Sequence, residues 1–218
     1  MNTNIEFARS QMVNQQVRTW DVLDPAILAV LGTVPREQFV PARYRSLAFA
    51  DTCIPLHGGQ SMLAPKLEGR ILQALSPVAT EQVLEVGAGS GFMAACLAAL
   101  GGMVTSLEIL PELASTACTR LESFGYRNAE VHNTDVFEYV PNSRFDVIAI
   151  TGSLPVYDRR FEGWLAVGGR LFVVTGNAPQ MEARLVRRLG EDEWSTEVLL
   201  ETVVPPLINA PGPQAFIF

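Results

Sequence analysis

The second half of the chain alternates between short apolar segments and longer segments in which apolar residues have helical spacing. The apolar segments predict strands at 83–86, 104–109, 129–132, 145–150 and 170–174. The first and fourth are nearly continuous apolar runs, which are typical of parallel strands covered on both faces. The segments between the strands predict helices at 93–100, 111–124 and 157–165. This alternation favours an α/β fold with a Rossmann-like, doubly wound and mostly parallel sheet.

The first 75 residues have a different pattern, which predicts a helical and loop-rich N-terminal extension. Residues 3–31 have helical spacing, and Asp24-Pro25 supplies an N-cap followed by a proline at the first helical position. Prolines and glycines interrupt residues 35–65 and predict loops, and a short helix is predicted at 66–75. We expect the extension at 1–75 and the cofactor-binding α/β core at 76–218 to form a single domain, since the length suits one compact unit.

Two further strand-like segments follow the core, at 195–204 and 214–218. A proline-rich turn joins them, and no helical segment separates them. Because parallel neighbours need a long crossover connection, these segments predict an antiparallel C-terminal edge of the sheet.

A glycine cluster directly after the first predicted strand is the strongest candidate binding site. The strand ends at Val86 and runs into Gly87-Ala88-Gly89-Ser90-Gly91, and a helix rich in small residues follows. Glycines at such a turn let the backbone approach a ligand at the helix N-terminus. The spacing is Gly-x-Gly-x-Gly, which differs from the dinucleotide fingerprint, and no Gly-Lys-Ser/Thr follows it as a P-loop would require. The cluster therefore predicts a cofactor without phosphates.

Acidic residues are expected to surround this glycine cluster. Glu108 ends the second predicted strand, Asp135 follows the third and Asp146 opens the fourth. We expect these carboxylates to lie at the carboxyl edge of the sheet, the usual ligand crevice of doubly wound folds. They suit a positively charged ligand such as the sulfonium of S-adenosylmethionine.

Charge and composition narrow the classes of partner. The chain has 23 Asp and Glu against 16 Lys and Arg, a net charge of −7, which disfavours nonspecific binding to nucleic acid and to anionic membranes. It has neither a leader-like N-terminus nor an apolar run of about 20 residues, so we expect a cytoplasmic protein. Three cysteines without a Cys-x-x-Cys pair and two histidines make a metal site improbable.

Several segments resemble one enzyme family. Residues 84–91, Leu-Glu-Val-Gly-Ala-Gly-Ser-Gly, resemble the first motif of class I S-adenosylmethionine-dependent methyltransferases. More narrowly, residues 34–41 (Val-Pro-Arg-Glu-Gln-Phe-Val-Pro), 48–51 (Ala-Phe-Ala-Asp) and Gly59-Gln60 are similar to protein-L-isoaspartate O-methyltransferases. The similarity continues in the same order through Asn128, Thr134-Asp135 and residues 145–148 to the turn at 165–169.

The resemblance implies a cofactor, a substrate and a set of cofactor-binding residues. Members of the family transfer the methyl group of S-adenosylmethionine to the free carboxylate of an isoaspartyl residue in a protein or peptide, which leaves S-adenosylhomocysteine. The implied cofactor-binding positions in this chain are Gln60, Met62, Leu63, Glu85, Gly87, Gly89, Gly91, Glu108, Ile109, Asp135 and Val136. A monomer or a dimer fits the sequence.

Particular parts of the cofactor are implied for most of these positions. The three glycines would lie under its methionine part, Glu108 would hold the ribose, and Ile109 would flank the adenine. Asp135 and Val136 would read the adenine edge, and residues 60–63 would cover the methyl donor. Ser61 matches the family's threonine and keeps a hydroxyl, which makes it the candidate catalytic residue.

The chain departs from the family pattern on the acceptor side. The loop that usually reads Gly-Gln-Thr-Ile-Ser ends here in Leu63, so the serine hydroxyl expected to meet the substrate carboxylate is replaced. The family's Ala-Tyr-x-Asp has Phe49 at its second position, and residues 151–153 are Thr-Gly-Ser where small alanines are common. Three readings stay open: isoaspartyl methylation, methylation of another carboxylate or a small-molecule hydroxyl, and cofactor binding without turnover.

His57 and Lys66, near the loop, are further candidates. His57 precedes Gly58-Gly59 and is a candidate general base, although a carboxylate nucleophile needs none. Lys66 follows Pro65 at the start of a predicted helix and is a candidate for attracting a substrate carboxylate. An ordinary solvated lysine is the equally weighted alternative.

Overall fold

A seven-stranded sheet organises the computed structural model, which describes residues 2–212 of the chain. Its strands are β3 (Gln82–Val86), β4 (Met103–Glu108), β5 (Ala129–Asn133), β6 (Phe145–Leu154), β7 (Leu165–Asn177), β8 (Gln180–Arg188) and β9 (Trp194–Glu201). A separate two-stranded hairpin pairs β1 (Ile54–Pro55) with β2 (Ser61–Met62). The strand predicted at 214–218 lies outside the described residues.

The strand order across the sheet is β5-β4-β3-β6-β7-β8-β9. The five strands from β5 to β7 are parallel, and β8 and β9 add an antiparallel edge, so the predicted fold class is confirmed. The chain runs from β3 to β4 and β5 on one side and then crosses from β5 to β6 on the other side of β3, so the strand order reverses at β3. A crevice opens at the carboxyl end of such a strand.

The helices of the core follow the predicted pattern except at one position. They are α5 (Phe92–Ala99), α6 (Pro111–Ser123) and α7 (Arg160–Gly163). The helix predicted at 157–165 is only the single turn α7, because Leu165 already pairs with Phe145 as the first residue of β7. Strand β8 was not among the predicted strands, although its alternation of buried Met181, Ala183 and Leu185 with more exposed residues is a strand pattern.

The N-terminal extension contains α1 (Asn2–Met12), α2 (Pro25–Thr33), α3 (Arg36–Phe39) and α4 (Pro65–Leu75). The predicted helical stretch at 3–31 is interrupted, since the chain passes through a π-helical turn and a 3-10 turn to Asp21, which has a φ of 58°. Asp24 caps α2 as predicted, and its Oδ1 accepts a hydrogen bond from the Ala26 N–H at 2.8 Å. Residues 35–65 are mostly short turns and loops, with α3 and the β1–β2 hairpin as their regular elements.

Both faces of the inner strands β3, β6 and β7 are buried, whereas the edge strand β5 is largely exposed. On one face Val83, Val147 and Phe172 pack in a core shared with the N-terminal helices and α5. On the other face Leu84, Ile148 and Leu171 belong to a second core. This two-sided burial is the physical reason for the continuous apolar runs in the sequence. Within residues 2–212 we find no helix with the length and apolar character that a bilayer crossing demands.

Candidate active site

A cleft lies at the carboxyl ends of β3, β4 and β6, and it has three compartments that share lining residues. The strand-end compartment is bounded by Glu108, Ile109, Thr134, Asp135, Val136 and Ile208. The glycine compartment is bounded by Leu56, Met62, Glu68, Ala88, Phe92 and Met93. The junction compartment lies between them and is bounded by Ser61, Leu63, Thr151, Gly152, Val204 and Leu207. Gly87 lines all three compartments.

The glycine turn does two different things. Gly87 and Gly89 line the cleft with φ angles of 94° and 52°. A Cβ at Gly87 would lie 2.6 Å from Thr151 Oγ1, and a Cβ at Gly89 would lie 3.2 Å from Leu56 Cδ1. Gly91 does not line any of the three compartments, and a Cβ there would meet Ala117 of α6 at 3.1 Å. Two of the predicted glycines therefore shape the cleft, and the third allows α5 and α6 to pack.

Glu108 is held at the end of β4 by backbone donors. Its Oε2 accepts a hydrogen bond from the Gly89 N–H at 2.8 Å, and its Oε1 accepts one from the Leu110 N–H at 3.0 Å. Each oxygen keeps a second lone pair, so the carboxylate can also accept hydrogen bonds from ligand hydroxyls. Glu108 therefore links the glycine turn to the strand-end compartment.

Asp135 is held in a similar way after β5. Its Oδ1 accepts a hydrogen bond from the Phe137 N–H at 2.8 Å, and its Oδ2 accepts one from Asn209 Nδ2 at 2.7 Å. Val136 and Ile109 supply apolar walls of the same compartment. The structure thus brings Glu108, Ile109, Asp135 and Val136 together as predicted, with Asn209 as a contact that the sequence analysis missed.

The β1–β2 hairpin places residues 60–63 over the cleft. Gln60 lines the strand-end and junction compartments, and Ser61 and Leu63 line the glycine and junction compartments. Met62 lines the glycine compartment. The Ser61 hydroxyl has no hydrogen-bond partner within the part of the chain that the structure describes, so it is available to a ligand.

Two acidic residues lie elsewhere than expected. Glu85 is fully buried, accepts a hydrogen bond from the Ser106 hydroxyl and does not line the cleft. Burial raises the pKa of Glu85 to about 8. The expectation that Asp146 lies at the carboxyl edge is wrong: it is near the amino end of β6 and accepts a hydrogen bond from the Gln82 N–H at 2.9 Å. A residue that opens a parallel strand lies at the opposite edge from one that ends it.

The side chains of His57 and Lys66 have partners away from the cleft lining. His57 Nε2 lies 3.0 Å from Glu112 Oε2, and both side chains are more than half exposed. Lys66 Nζ lies 2.7 Å from Asp51 Oδ2 and 4.1 Å from the ring centroid of Trp20. Neither His57 nor Lys66 lines the three compartments.

The segment after β9, residues 202–210, forms a wall of the cleft that the sequence analysis did not identify; we call it the C-terminal strap. The Ser153 N–H donates to Pro205 O, and the Leu207 N–H donates to Ser153 O, both at 2.9 Å. Gly152 leaves space for Leu207, since a Cβ there would lie 2.5 Å from Leu207 Cδ2. The sequence signal was the Gly-Ser pair in place of alanines at the end of β6.

The chemistry of the cleft fits S-adenosylmethionine. Within the described residues, the ionisable side chains that line it are Glu68, Glu108 and Asp135, and none is basic. An acidic lining favours a cationic sulfonium and an ammonium group and disfavours the phosphates of a dinucleotide. The open backbone at Gly87 and Gly89 gives space that a Cβ would fill.

Comparison with known proteins assigns the family. A family model described as protein-L-isoaspartate(D-aspartate) O-methyltransferase matches residues 8–210. The chain belongs to this family.

Relatives of the family match nearly the whole chain. The chain is 37% identical to protein-L-isoaspartate O-methyltransferase 2 of Pelobacter propionicus, with 96% of this chain and 94% of that protein covered. It is also 37% identical to protein-L-isoaspartate O-methyltransferase 1 of Rhodopseudomonas palustris, with 96% and 86% covered. Membership confirms the predicted enzyme class, an S-adenosylmethionine-dependent methyltransferase, and its cofactor.

A solved structure supports the same fold. It is the crystal structure of a Plasmodium falciparum protein described as a protein-L-isoaspartate O-methyltransferase, in complex with S-adenosyl-L-homocysteine. The TM-score is 0.80 at 14% identity, with 91% of this chain and 97% of that chain covered. At this identity the match shows the fold of the methyltransferase family.

Proposed function

We propose that this chain methylates the free carboxylate of isoaspartyl residues in proteins and peptides, with S-adenosylmethionine as the methyl donor. The observation that carries the proposal is the junction compartment. It connects the glycine compartment with the strand-end compartment and is bounded by Ser61 and Leu63. An acceptor bound in the junction compartment lies between the methionine part of the cofactor in the glycine compartment and the adenosine part in the strand-end compartment.

The residues of the cleft divide into groups with separate roles in this proposal. Glu108 holds the ribose, Asp135 with Ile109 and Val136 holds the adenine, and Gly87 and Gly89 lie under the methionine part. When bound, S-adenosylmethionine supplies an electrophilic methyl group, which the acceptor takes up as a methyl ester, leaving S-adenosylhomocysteine. Gly91 supports the turn through helix packing. Glu85 has no contact with the ligand in this proposal, since it is buried in β3.

Ser61 positions the acceptor in this proposal. Its free hydroxyl lines the junction compartment and can donate a hydrogen bond to one oxygen of the substrate carboxylate, which leaves the other oxygen as nucleophile. An isoaspartyl carboxylate is already ionised near neutral pH, so a general base is not required. The contribution of the protein is alignment of the reactants and exclusion of water by Leu63, Val204 and Leu207.

Leu63 specifically supports a second candidate function. Its side chain lacks a hydrogen-bond donor and gives the acceptor side an apolar surface. Methylation of a different carboxylate or of a small-molecule hydroxyl is therefore the alternative.

Transfer of labelled methyl from S-adenosylmethionine to an isoaspartyl peptide tests the proposal. The matched control is the same peptide with a normal aspartyl linkage. We expect a base-labile methyl ester on the isoaspartyl peptide alone. The Ser61→Ala variant should have a kcat/KM that is lower by about 10-fold or more, because a hydrogen bond to a charged group is lost. No transfer despite measurable S-adenosylhomocysteine binding would favour the alternative acceptor.

A further inference from the structure

Glu68 of α4 faces the glycine compartment and is its only ionisable lining residue among the residues that the structure describes. It is 3% exposed, so its charge is shielded from bulk solvent. The remaining lining side chains are apolar, small or hydroxylic, such as Leu56, Met93 and Thr151. A cationic group that enters this compartment therefore meets one carboxylate.

Arg36 holds one oxygen of this carboxylate. Its Nη1 donates to Glu68 Oε2, its Nε donates to Ala48 O at 2.9 Å, and its Nη2 donates to Leu63 O at 2.8 Å. The guanidinium also stacks over the Phe92 ring at 4.7 Å from the centroid. With its guanidinium fixed by these contacts, Arg36 determines where the Glu68 carboxylate points.

Arg36 and Glu68 form an ion pair. Burial raises the pKa of the Glu68 carboxyl, and the charge and hydrogen bond of Arg36 oppose this rise. Arginine keeps its proton in proteins, and Arg36 is fully buried with Glu68 as its carboxylate partner. Protonation of Glu68 would leave a buried cation without a counterion, which is strongly unfavourable. We therefore take the carboxylate as the form present near neutral pH.

The second oxygen, Glu68 Oε1, has no hydrogen-bond partner within residues 2–212. We propose that it accepts a hydrogen bond from the α-ammonium group of the methionine part of S-adenosylmethionine and S-adenosylhomocysteine, with Arg36 as a positioning residue. The inference rests on the proposed function, because it requires the methionine part to occupy the glycine compartment.

The opposite charge of the same methionine part also has a favourable place. Helix α5 begins at Phe92 beside this compartment, and a helix N-terminus favours an anionic group such as the α-carboxylate. The compartment thus presents a carboxylate for the ammonium and a helix N-terminus for the carboxylate. This arrangement selects for a zwitterionic amino-acid group.

Two ligands that differ in the amino-acid part test the proposal. Calorimetry would measure binding of S-adenosylhomocysteine and of methylthioadenosine, which lacks the ammonium and the carboxylate, to the wild type and to Glu68→Gln. We expect Glu68→Gln to weaken S-adenosylhomocysteine binding about 10-fold, because a charge-assisted hydrogen bond is lost. Methylthioadenosine binding should change by less than about two-fold, since this ligand does not reach Glu68.

The matched control is Glu37→Gln, which makes the same change in another buried ion pair of the extension. Glu37 is 7% exposed and accepts a hydrogen bond from Arg9 Nη2 at 2.7 Å. We expect no ligand-selective effect from it. The double variant Arg36→Met/Glu68→Met leaves no buried charge unpaired and should show the same selective loss, so poor folding of Glu68→Gln does not block the test.

The possible failures are distinguishable. Unchanged S-adenosylhomocysteine binding in both Glu68 variants, or an equal loss for both ligands, would overturn the role of Glu68 and leave the proposed function standing. A wild-type chain that binds neither ligand would overturn both proposals.

Discussion

The floor of the cleft, formed by the strand ends that carry Glu108 and Asp135, is built in a different way from its wall. On the floor, carboxylates at the strand ends are held by nearby backbone, as Glu108 is by the Leu110 N–H and Asp135 by the Phe137 N–H. The wall consists of the β1–β2 hairpin and the C-terminal strap, and it is held by distant residues. Arg36 binds Leu63 O, and Ser153 binds the backbone of Leu207. Each floor carboxylate therefore has one contact set by local sequence and a second from a distant residue, Gly89 or Asn209, whereas these wall contacts all join distant segments.

The largest expected effect comes from removing the residue that holds the wall. Arg36→Met leaves Glu68 buried without its partner, so we expect the free energy of unfolding to fall by about 4 kcal/mol. Urea denaturation measures it. Arg9→Met is the matched control, because the Arg9 side chain is 13% exposed and its loss should cost less. An equal loss in both variants would contradict the special role of Arg36.

Because Glu85 is buried below the floor, we expect the free energy of unfolding to depend on pH. Its pKa is raised to about 8 in the folded state from 4.5 for a free glutamate side chain, so the folded state retains a proton that the unfolded state releases. The stability contributed by the neutral carboxyl is thus lost as the pH rises from about 4.5 to about 8. In Glu85→Gln this loss should disappear, a difference on the order of 3 kcal/mol between about pH 5 and about pH 7. Parallel pH profiles of the free energy of unfolding for the wild type and Glu85→Gln, measured with urea, would contradict this role of Glu85.

Glu108→Ala tests whether the floor holds the cofactor. The change removes the carboxylate proposed to bind the ribose and also frees the Gly89 N–H. We expect S-adenosylhomocysteine affinity to fall about 100-fold, measured by calorimetry. Glu130→Ala, an exposed acid on β5, should leave the affinity unchanged. A similar fall in both variants would indicate a general electrostatic effect instead.

Gly152→Ala tests whether the C-terminal strap belongs to the same site. The added Cβ would lie 2.5 Å from Leu207 Cδ2, so the Leu207 side chain must move. Because Leu207 lines both the strand-end and junction compartments, we expect about 10-fold weaker S-adenosylhomocysteine binding. Gly163→Ala has open space around the new Cβ and is the control. Unaltered binding in Gly152→Ala would separate the strap from the cofactor site.

The smallest expected effect separates acceptor binding from cofactor binding. Leu63→Ser restores a hydroxyl beside Ser61, and we expect kcat/KM for an isoaspartyl peptide to rise about three-fold, the size of one neutral hydrogen bond. Affinity for S-adenosylhomocysteine should stay within about two-fold. A fall in kcat/KM would show that Leu63 serves an acceptor other than the isoaspartyl carboxylate.

The predicted strands from 83–86 to 170–174 correspond to β3 through β7, and the clearest apolar runs belong to β3 and β6, which are buried on both faces. Strand β8 was missed, since its half-buried alternation gives a weaker signal. The helix predicted at 157–165 is a single turn, because strand pairing at Leu165 overrides local helical spacing.

Local sequence was enough to predict the strands β3 to β7, the glycine turn and the acids that end β4 and follow β5. These features depend on neighbours a few residues apart, so the local pattern contains the necessary information. Tertiary packing places Gly91 between two helices, buries Glu85 and turns Glu68 towards the cleft. It also brought the C-terminal strap onto Gly152, because contacts between distant segments depend on the packed positions of whole elements, which the local pattern of residues does not record.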